Sequence, residues 1–306
     1  MTHPPAKPIK LNVDLLRDWP LPMPSCDGDK EARGRVLVIG GSREMPGAVI
    51  LAANAALRAG AGKLTVATGA SVAQLVASAI PESRVIGLPE TDDGGIRTES
   101  AELFDNLTGK IDAILIGPGM QDEPSICAFV HALLPKFPDT KIVLDACAMA
   151  VVRGSQSYQE DVEHIRDAHL ILTPHAGEMA HLLGDEKHAI VADPHTTARD
   201  AASDWNAVVA LKGAVTFIAS PTGDVWQHEG GNVGLAISGS GDTLAGIIAG
   251  LAARGATLEQ ATAWGVLLHA QAGQNLAKRI GSLGYLAREI ADEVPALLDK
   301  FGRRAI

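Results

Sequence analysis

The sequence lacks the charge pattern and the motifs that mark several common classes of protein. Its formal net charge is −10 and its pI is about 5.4, which argues against binding to nucleic acid or to an anionic membrane surface, because both need a basic surface. It contains no GxxxxGK[ST] loop, no GxGxxG after a strand, no HExxH and no GxSxG. P-loop enzymes, ordinary Rossmann dehydrogenases, zincins and α/β-hydrolases are thereby excluded. We therefore expect small-molecule partners.

Cysteines and long apolar runs are also scarce. The three cysteines Cys26, Cys127 and Cys147 are far apart and form no CxxC pair, so we predict reduced thiols. Cys147 is a candidate nucleophile, although a packing thiol is the simpler interpretation. The most apolar predicted helix, 243–253, is too short for a bilayer, which needs about 20 residues. Residues 1–8 do not resemble an export signal, and we expect a cytoplasmic protein.

Strand-like apolar runs alternate with helical patterns from residue 35 onward. This alternation predicts an α/β fold with a mostly parallel central sheet and helices on both faces. A proline-rich arm over residues 1–33 precedes one predicted domain over residues 34–306. The predicted strands are 36–39, 64–67, 111–116, 141–144, 169–172 and 207–211, followed by a hairpin of 215–219 and 225–228.

Unusual loops follow several of these strands. Ligands of open parallel sheets bind at the carboxyl ends of the strands, so we expect these loops to meet at one rim. They are the glycine-, proline- and polar-rich segments 40–42, 117–119, 173–175 and 212–213.

The run NVGLAISGSGDTLAG at 232–246 is the most informative stretch. Gly239, Ser240 and Gly241 are small, so their backbone N–H groups can converge on a phosphate beside the positive end of a helix dipole. Asp242 has two interpretations. It is either a base that takes a proton from a hydroxyl reacting at that phosphate, or simply a helix cap.

A GSGD segment opening a late helix, in a chain without a phosphate loop, resembles the ribokinase-like superfamily. Within it, the motif series is similar to ADP- or ATP-dependent NAD(P)H-hydrate dehydratases over about residues 34–298. The resemblance implies a three-layer α/β/α fold and dehydration of the S epimer of hydrated NADH or NADPH, by phosphorylation of the ring hydroxyl and elimination of phosphate. The motifs are GGSREMPGAVILAANAALRAGAGKLTVAT, IGPG, TPHAGE, LKGAVT, SGSGDTLAG and LLHAQAG.

The resemblance also assigns site residues. It makes Asp242 the catalytic base and has Gly239, Ser240 and Gly241 stabilise the transferring phosphoryl group. Nucleotide binding falls to Gly241 and to the segment Lys212, Gly213, Ala214, Val215 and Thr216. Hydrated dinucleotide binding falls to Ala48, Gly119, His175 and Asp242.

Simpler structural roles compete with two of these assignments. Lys212 could be a lysine that extends to solvent from a strand end. His175 could be a capping or core histidine. Glu178 fits a capping carboxylate in the first turn of a helix, and we leave it outside the predicted site.

The resemblance further implies Mg²⁺, carried by ADP or ATP rather than by an identified protein ligand. It also implies a homo-oligomer, a homotetramer in particular, and a functional pairing with a separate NAD(P)H-hydrate epimerase. The chain departs from the family pattern at Ser238, at Val233 in GNVG and at Cys147 in DACAM. Two alternatives stay open: a ribokinase-like kinase of the hydroxymethylpyrimidine or hydroxyethylthiazole type, and a catalytically quiet nucleotide-binding module.

Overall fold

A single sheet organises the fold. The computed structural model describes residues 7–24, 27, 30–153 and 162–302, with backbone only at 162–164, so Cys26 lies outside the described residues. The ten strands of the described chain are β1 (Ile9–Lys10), β2 (Arg35–Ile39), β3 (Lys63–Gly69), β4 (Ser83–Leu88), β5 (Ala113–Ile116), β6 (Lys141–Leu144), β7 (His169–Leu172), β8 (Val208–Leu211), β9 (Val215–Ala219) and β10 (Val225–Glu229).

The strands follow the order β1-β10-β9-β8-β7-β6-β5-β2-β3-β4. Only β9 runs antiparallel to its neighbours in this sheet, which confirms the prediction of a mostly parallel sheet. Between β5 and β2 the chain reverses the direction in which it adds strands, and ligands of open α/β sheets bind at such switch points.

Helices cover both faces of the sheet, as the sequence predicts. The α-helices in the described part of the chain are α1 (Val13–Asp18), α2 (Pro46–Arg58), α3 (Ala73–Ala79), α4 (Glu123–Leu133), α5 (Val162–Asp167), α6 (Ala176–Leu183), α7 (Lys187–Ala192), α8 (Pro194–Trp205), α9 (Ser240–Ala253), α10 (Leu258–Arg279) and α11 (Ala287–Gly302). Among them, none combines the length and the apolar character that a membrane crossing requires.

Alternating residues of the strands divide the core into two layers. Val36 and Val38 of β2 lie in the layer covered by α2, α9, α10 and α11, whereas Leu37 and Ile39 lie in the layer covered by α4, α6 and α8. A strand that points successive side chains to opposite faces, and is apolar on both, must be covered on both sides. The result is the three-layer α/β/α architecture that the sequence predicts.

Part of the proline-rich arm packs against the sheet. Its strand β1 pairs with β10, and the ring of Trp19 stacks on Trp226 at a centroid distance of 5.8 Å. The side chains of Gln260 and Trp264 donate to the carbonyl of Trp19 at 3.1 and 2.9 Å. The sequence pattern predicts a surface arm but neither β1 nor α1, because both are too short for periodicity to be visible.

Helices α2 and α9 lie in unusually close contact along a seam of small residues. A Cβ placed on Gly246 would lie 2.1 Å from the carbonyl oxygen of Ala52, and one on Gly250 would lie 2.4 Å from that of Ala56. Only glycine permits such an approach of two backbones. The two helices run in the same direction along this seam. Asp242 lies one turn before Gly246 in α9, and Ala48 lies one turn before Ala52 in α2, so the seam brings the starts of both helices to the same end.

Candidate active site

The predicted rim exists, because loops at the carboxyl ends of neighbouring strands are joined to each other. Lys212 N donates to Pro174 O at 2.8 Å, which links the loops after β7 and β8. Gly41 N donates to Pro118 O at 2.7 Å and links the loops after β2 and β5. Gly117, with φ +128°, has no room for a side chain, since a Cβ there would lie 1.8 Å from the carbonyl oxygen of Asp145.

The GSGD segment forms the start of α9. Gly239 is the N-cap residue in a left-handed conformation, φ 86°, and the helix begins at Ser240. A Cβ on Gly239 would lie 2.4 Å from Leu51 Cδ1, so a larger residue would collide with α2. Asp242 is therefore a residue of the first helical turn. The alternative that it is the N-cap is wrong.

The carboxyl group of Asp242 is half-buried and has a perturbed proton affinity. Burial raises its pKa from 3.8 to about 6, and the negative charge of Asp145 adds to the increase, whereas the positive charge of Lys212 opposes it. Removal from water disfavours the charged carboxylate. A pKa just below neutrality suits a general base, because the group is ionised at neutral pH yet still binds a proton.

Lys212 lies between two carboxylates at this rim. Its Nζ is 3.5 Å from Asp145 Oδ1 and 3.8 Å from Glu178 Oε2, and it lies 3.4 Å from the point where a Cβ on Gly241 would be. Asp145 is 4% exposed and accepts a 2.6 Å hydrogen bond from Thr173 Oγ1. The lysine side chain is 19% exposed, so the alternative that it extends to solvent is wrong.

Asp145 and Glu178 are the residues that sequence reasoning left out of this cluster. Asp145 directly follows β6, and Glu178 stands in the first turn of α6. Asp145 follows the predicted strand 141–144, and this position alone indicates that it lies at the rim, since residues at the carboxyl ends of parallel strands do so. Glu178 does cap its helix, as interpreted, because its Oε2 accepts from His175 N at 2.7 Å. It also reaches toward Lys212.

A cavity of about 760 Å³ opens above the start of α9. Among the predicted nucleotide residues, Lys212, Gly213, Ala214, Thr216 and Gly241 line it, and Ser240 lines it too. The side chain of Val215 packs against the core instead. The volume is within the usual range of about 300–1,000 Å³ for small-ligand pockets.

His175 stands between that cavity and a second one of about 300 Å³, which Cys147 and Glu178 also line. Its Nδ1 accepts hydrogen bonds from Gly177 N and Glu178 N, both at 3.0 Å, so the capping interpretation of His175 is correct. Because Nδ1 is the acceptor, the proton of the neutral ring is on Nε2. Nε2 lies 3.7 Å from Glu178 Oε1, which is beyond hydrogen-bond distance, so its N–H can still donate at the rim, and capping does not exclude a binding role.

Ala48 and Gly119 lie beside each other on another part of the rim. Gly119 has φ +67°, and a Cβ there would lie 2.7 Å from Ala48 Cβ and 2.5 Å from the carbonyl oxygen of Met45. Neither residue lines the two cavities. Ala48 and Asp242 each stand four residues before the close contact of Ala52 with Gly246.

The thiol of Cys147 is half-buried, and burial together with the charges of Glu123 and Glu178 raises its pKa. A thiol in such surroundings stays protonated and is a poor nucleophile. Its apolar side also packs against the core layer that holds α4 and α6. The packing interpretation therefore fits Cys147 better than a nucleophilic role.

These features define an α/β protein of the ribokinase-like class. The chain belongs to the NAD(P)H-hydrate dehydratase family, which it matches over residues 36–296. It is 48% identical to an ADP-dependent (S)-NAD(P)H-hydrate dehydratase of Xanthomonas campestris over 99% of this chain and 100% of that protein. It is 39% identical to a bifunctional NAD(P)H-hydrate repair enzyme of Moorella thermoacetica over 91% of this chain, but spans only 52% of that longer protein.

A solved structure supports the same fold. The ADP/ATP-dependent NAD(P)H-hydrate dehydratase from Bacillus subtilis, co-crystallised with ATP/Mg²⁺, aligns with a TM-score of 0.81 and 28% sequence identity. The alignment covers 97% of this chain and 99% of that one. The predicted family and ribokinase-like fold are thus confirmed.

Proposed function

We propose that the chain uses ADP or ATP to dehydrate the S epimer of hydrated NADH or NADPH and so restores the reduced cofactor. The observation that carries this proposal is the half-buried Asp242, with a pKa raised to about 6, beside Lys212 at the start of α9. The pairing provides a base for a hydroxyl and a cation for a phosphoryl group at one place. The motif series and the 48% identity to a dehydratase support the same substrate class.

In the first step, Asp242 takes the proton of the ring hydroxyl while that oxygen attacks the terminal phosphorus of the nucleotide. The bond from this phosphorus to the leaving phosphate oxygen breaks. The turn of Gly239, Ser240 and Gly241 at the start of α9 and the ammonium of Lys212 stabilise the negative charge on the transferring phosphoryl group. Within this turn the N–H of Ser240 already donates to Ile237 O at 3.3 Å, so Ser240 would contribute through its hydroxyl. Uncharged N–H groups and a cation complement the charge that develops there.

In the second step, the phosphate leaves the ring carbon and the neighbouring carbon loses a proton. The lone pair of the ring nitrogen assists the departure, and the carbon–carbon double bond of the reduced nicotinamide is restored. Phosphate leaves far more readily than hydroxide, which is the reason for spending a nucleotide on a dehydration. The products are NADH or NADPH, inorganic phosphate, which ends with the proton lost by the ring carbon, the shortened nucleotide, and the proton that Asp242 took up and passes to solvent.

We place the nucleotide in the 760 Å³ cavity, with Lys212, Gly213, Ala214 and Thr216 along its wall and Val215 supporting them from the core. The carboxylates here do not fit a metal cage, because the ammonium of Lys212 lies between Asp145 and Glu178. The described residues contain no group of three potential metal ligands. We therefore propose that Mg²⁺ arrives on the phosphates of ADP or ATP.

We place the hydrated dinucleotide along Ala48, Gly119 and His175. Ala48 and Gly119 are small, so the sugar–phosphate part of the dinucleotide can approach them closely. The Nε2–H of His175 can donate to a phosphate or ribose oxygen. The second cavity, which His175 also lines, provides about 300 Å³ for part of that substrate. In this placement Asp242, the residue after Gly241 of the first cavity wall, lies between the two substrates.

We propose a cytoplasmic homotetramer that works with a separate NAD(P)H-hydrate epimerase. The bifunctional relative of Moorella thermoacetica, of which this chain covers 52%, supports the association of the two activities.

Absorbance of reduced nicotinamide tests the function directly. Purified protein with hydrated NADH, ADP or ATP and Mg²⁺ is expected to restore that absorbance. Asp242→Asn should reduce the rate by about 10²- to 10⁴-fold while nucleotide still binds. Asp139→Asn, at an exposed aspartate, is the matched control and should retain full activity. Failure of the unsubstituted protein with both nucleotides would contradict the proposal.

The kinase alternative has less support, because the matched family and the 48% identical relative are dehydratases. A stable phosphorylated hydroxymethylpyrimidine or hydroxyethylthiazole, formed without dehydration, would favour it. The quiet-module alternative rests on the departures at Ser238 and Cys147. It would gain support if the protein bound ADP or ATP and no hydrated dinucleotide were consumed.

A further inference from the structure

A histidine from a neighbouring helix reaches into the first turn of α9. His269 stands on α10, and its Nε2 lies 3.0 Å from Ser240 Oγ and 3.1 Å from Ser240 O. His269 and Ser240 both line the 760 Å³ cavity. Neither the motif LLHAQAG nor the proposed reaction gives this histidine a role.

The two acceptors decide which ring nitrogen carries the proton. A carbonyl oxygen can only accept a hydrogen bond, so the contact with Ser240 O requires a hydrogen on His269 Nε2. The same N–H then points toward Ser240 Oγ, which must accept it as well. Burial lowers the pKa of His269 to about 4, with a smaller contribution from the charge of Lys212. The ring is therefore neutral at neutral pH, and Nδ1 carries the lone pair.

This arrangement sets the direction of the serine hydroxyl. Because Ser240 Oγ accepts from His269, its own hydrogen is left to donate elsewhere, and the residue borders the cavity. A hydroxyl hydrogen at the first position of a helix lies among the free backbone N–H groups, where anions bind. The neutral ring adds no charge of its own, so the positive charge at this place stays with Lys212.

We propose that His269 is a positioning residue that orients the Ser240 hydroxyl to donate to a phosphoryl oxygen of the bound nucleotide. The inference rests on the proposed nucleotide site but not on the dehydration chemistry. A purely structural histidine, which only fastens α10 to α9, would affect every ligand of the cavity alike. A positioning residue affects only ligands that bring phosphate to the start of α9.

Binding of ADP, ATP and adenosine to the full chain separates these roles. Hydrogen bonds to charged groups contribute enough that His269→Leu should weaken ADP and ATP binding about tenfold or more. Adenosine, which has no phosphate, should bind the variant as it binds the unsubstituted chain. His269→Gln, whose side-chain N–H can take the place of Nε2–H, should retain ADP affinity within about threefold.

A double-mutant cycle gives a second, independent measurement. Ser240→Ala should weaken ADP binding as much as His269→Leu does, and the double variant should be no weaker than either, since both remove one hydrogen bond. If His269→Leu does not fold, His269→Met, which also has no N–H to donate, replaces it in the cycle.

Three results would overturn the proposal: an equal loss for adenosine and ADP, additive losses in the cycle, or no ADP and ATP binding by the unsubstituted chain. Binding of ADP with the expected pattern but without turnover would leave this proposal standing and refute only the proposed dehydration.

Discussion

Replacing Asp242 by asparagine is expected to stabilise the fold while it removes activity. Asparagine has almost the same shape as aspartate but carries no charge. The folded protein holds the Asp242 carboxylate in a half-buried position, where burial and Asp145 together oppose ionisation more strongly than Lys212 favours it. The neutral amide removes that unfavourable ionisation from the folded state.

The pKa shift gives the magnitude and the sign of this gain. The pKa of Asp242 rises from 3.8 to about 6 in the folded chain. Each unit corresponds to about 1.4 kcal/mol, so the upper bound is about 3 kcal/mol. Partial exposure screens the charge, and we expect about 1–2 kcal/mol, or a rise in Tm of about 2–4 °C for a domain of this size.

The gain must also depend on pH. Below pH 3.8 the carboxyl group is protonated in the folded and the unfolded chain and carries no penalty. The penalty grows as the pH rises from 3.8 to about 6 and is complete above that. Asp242→Asn should therefore be more stable than the unsubstituted chain at neutral pH and equal to it in acid.

Urea unfolding at several pH values measures this difference, with Asp139→Asn as the control for loss of an exposed charge. A gain of equal size at all pH values would refute the reasoning, since it would not come from ionisation. A loss of stability at neutral pH would also refute it, because it would mean that Lys212 and the helix dipole favour the carboxylate more than burial disfavours it.

Three further predictions concern the same rim. First, kcat/KM should fall in acid with a midpoint near pH 6, because protonated Asp242 cannot accept a proton, and a flat profile across that pH would contradict its role as base. Second, Lys212→Met should weaken ADP and ATP binding by about tenfold or more in calorimetric titrations, and it should move the acid midpoint upward, since the lysine charge lowers the pKa of Asp242. An unchanged affinity and midpoint would place Lys212 outside the site. Third, Gly117→Ala should cost more than about 3 kcal/mol, because its Cβ would lie 1.8 Å from Asp145 O. Gly109→Ala, also at positive φ but with nothing within 4 Å, should cost only about 1 kcal/mol. Equal costs in denaturant unfolding would contradict the steric argument.

The sequence predicts those parts of the fold that depend on local patterns. The strands Lys141–Leu144 and His169–Leu172 have the predicted bounds, because continuous apolar runs mark strands buried on both faces. Helix α9 begins at Ser240, three residues before the apolar run 243–253 that marks it in the sequence, because Gly239 takes the left-handed cap conformation. The edge strand β4, Ser83–Leu88, has no apolar run and is not predicted.

The parts of the site that depend on which strands are neighbours could not be predicted from local patterns. Asp145, Glu178 and Lys212 follow β6, β7 and β8, and they meet only because these strands are adjacent and parallel. His269 approaches Ser240 from 29 residues further along the chain. The roles assigned to the site residues and the division into an arm and one domain stay predictions.

The glycine seam between α2 and α9 restricts how the protein can move. At Gly246 and Gly250 the backbones of α9 and α2 are in direct contact, with no side chains between them that could rearrange. We therefore expect the two helices to move together as one rigid block. The start of α9, where we place the phosphate, and the first turn of α2, which holds Ala48, are parts of that block. Any opening that admits or releases a ligand must then occur in flanking loops, for example at Gly230 and Gly231, rather than by a hinge between the halves of the catalytic centre.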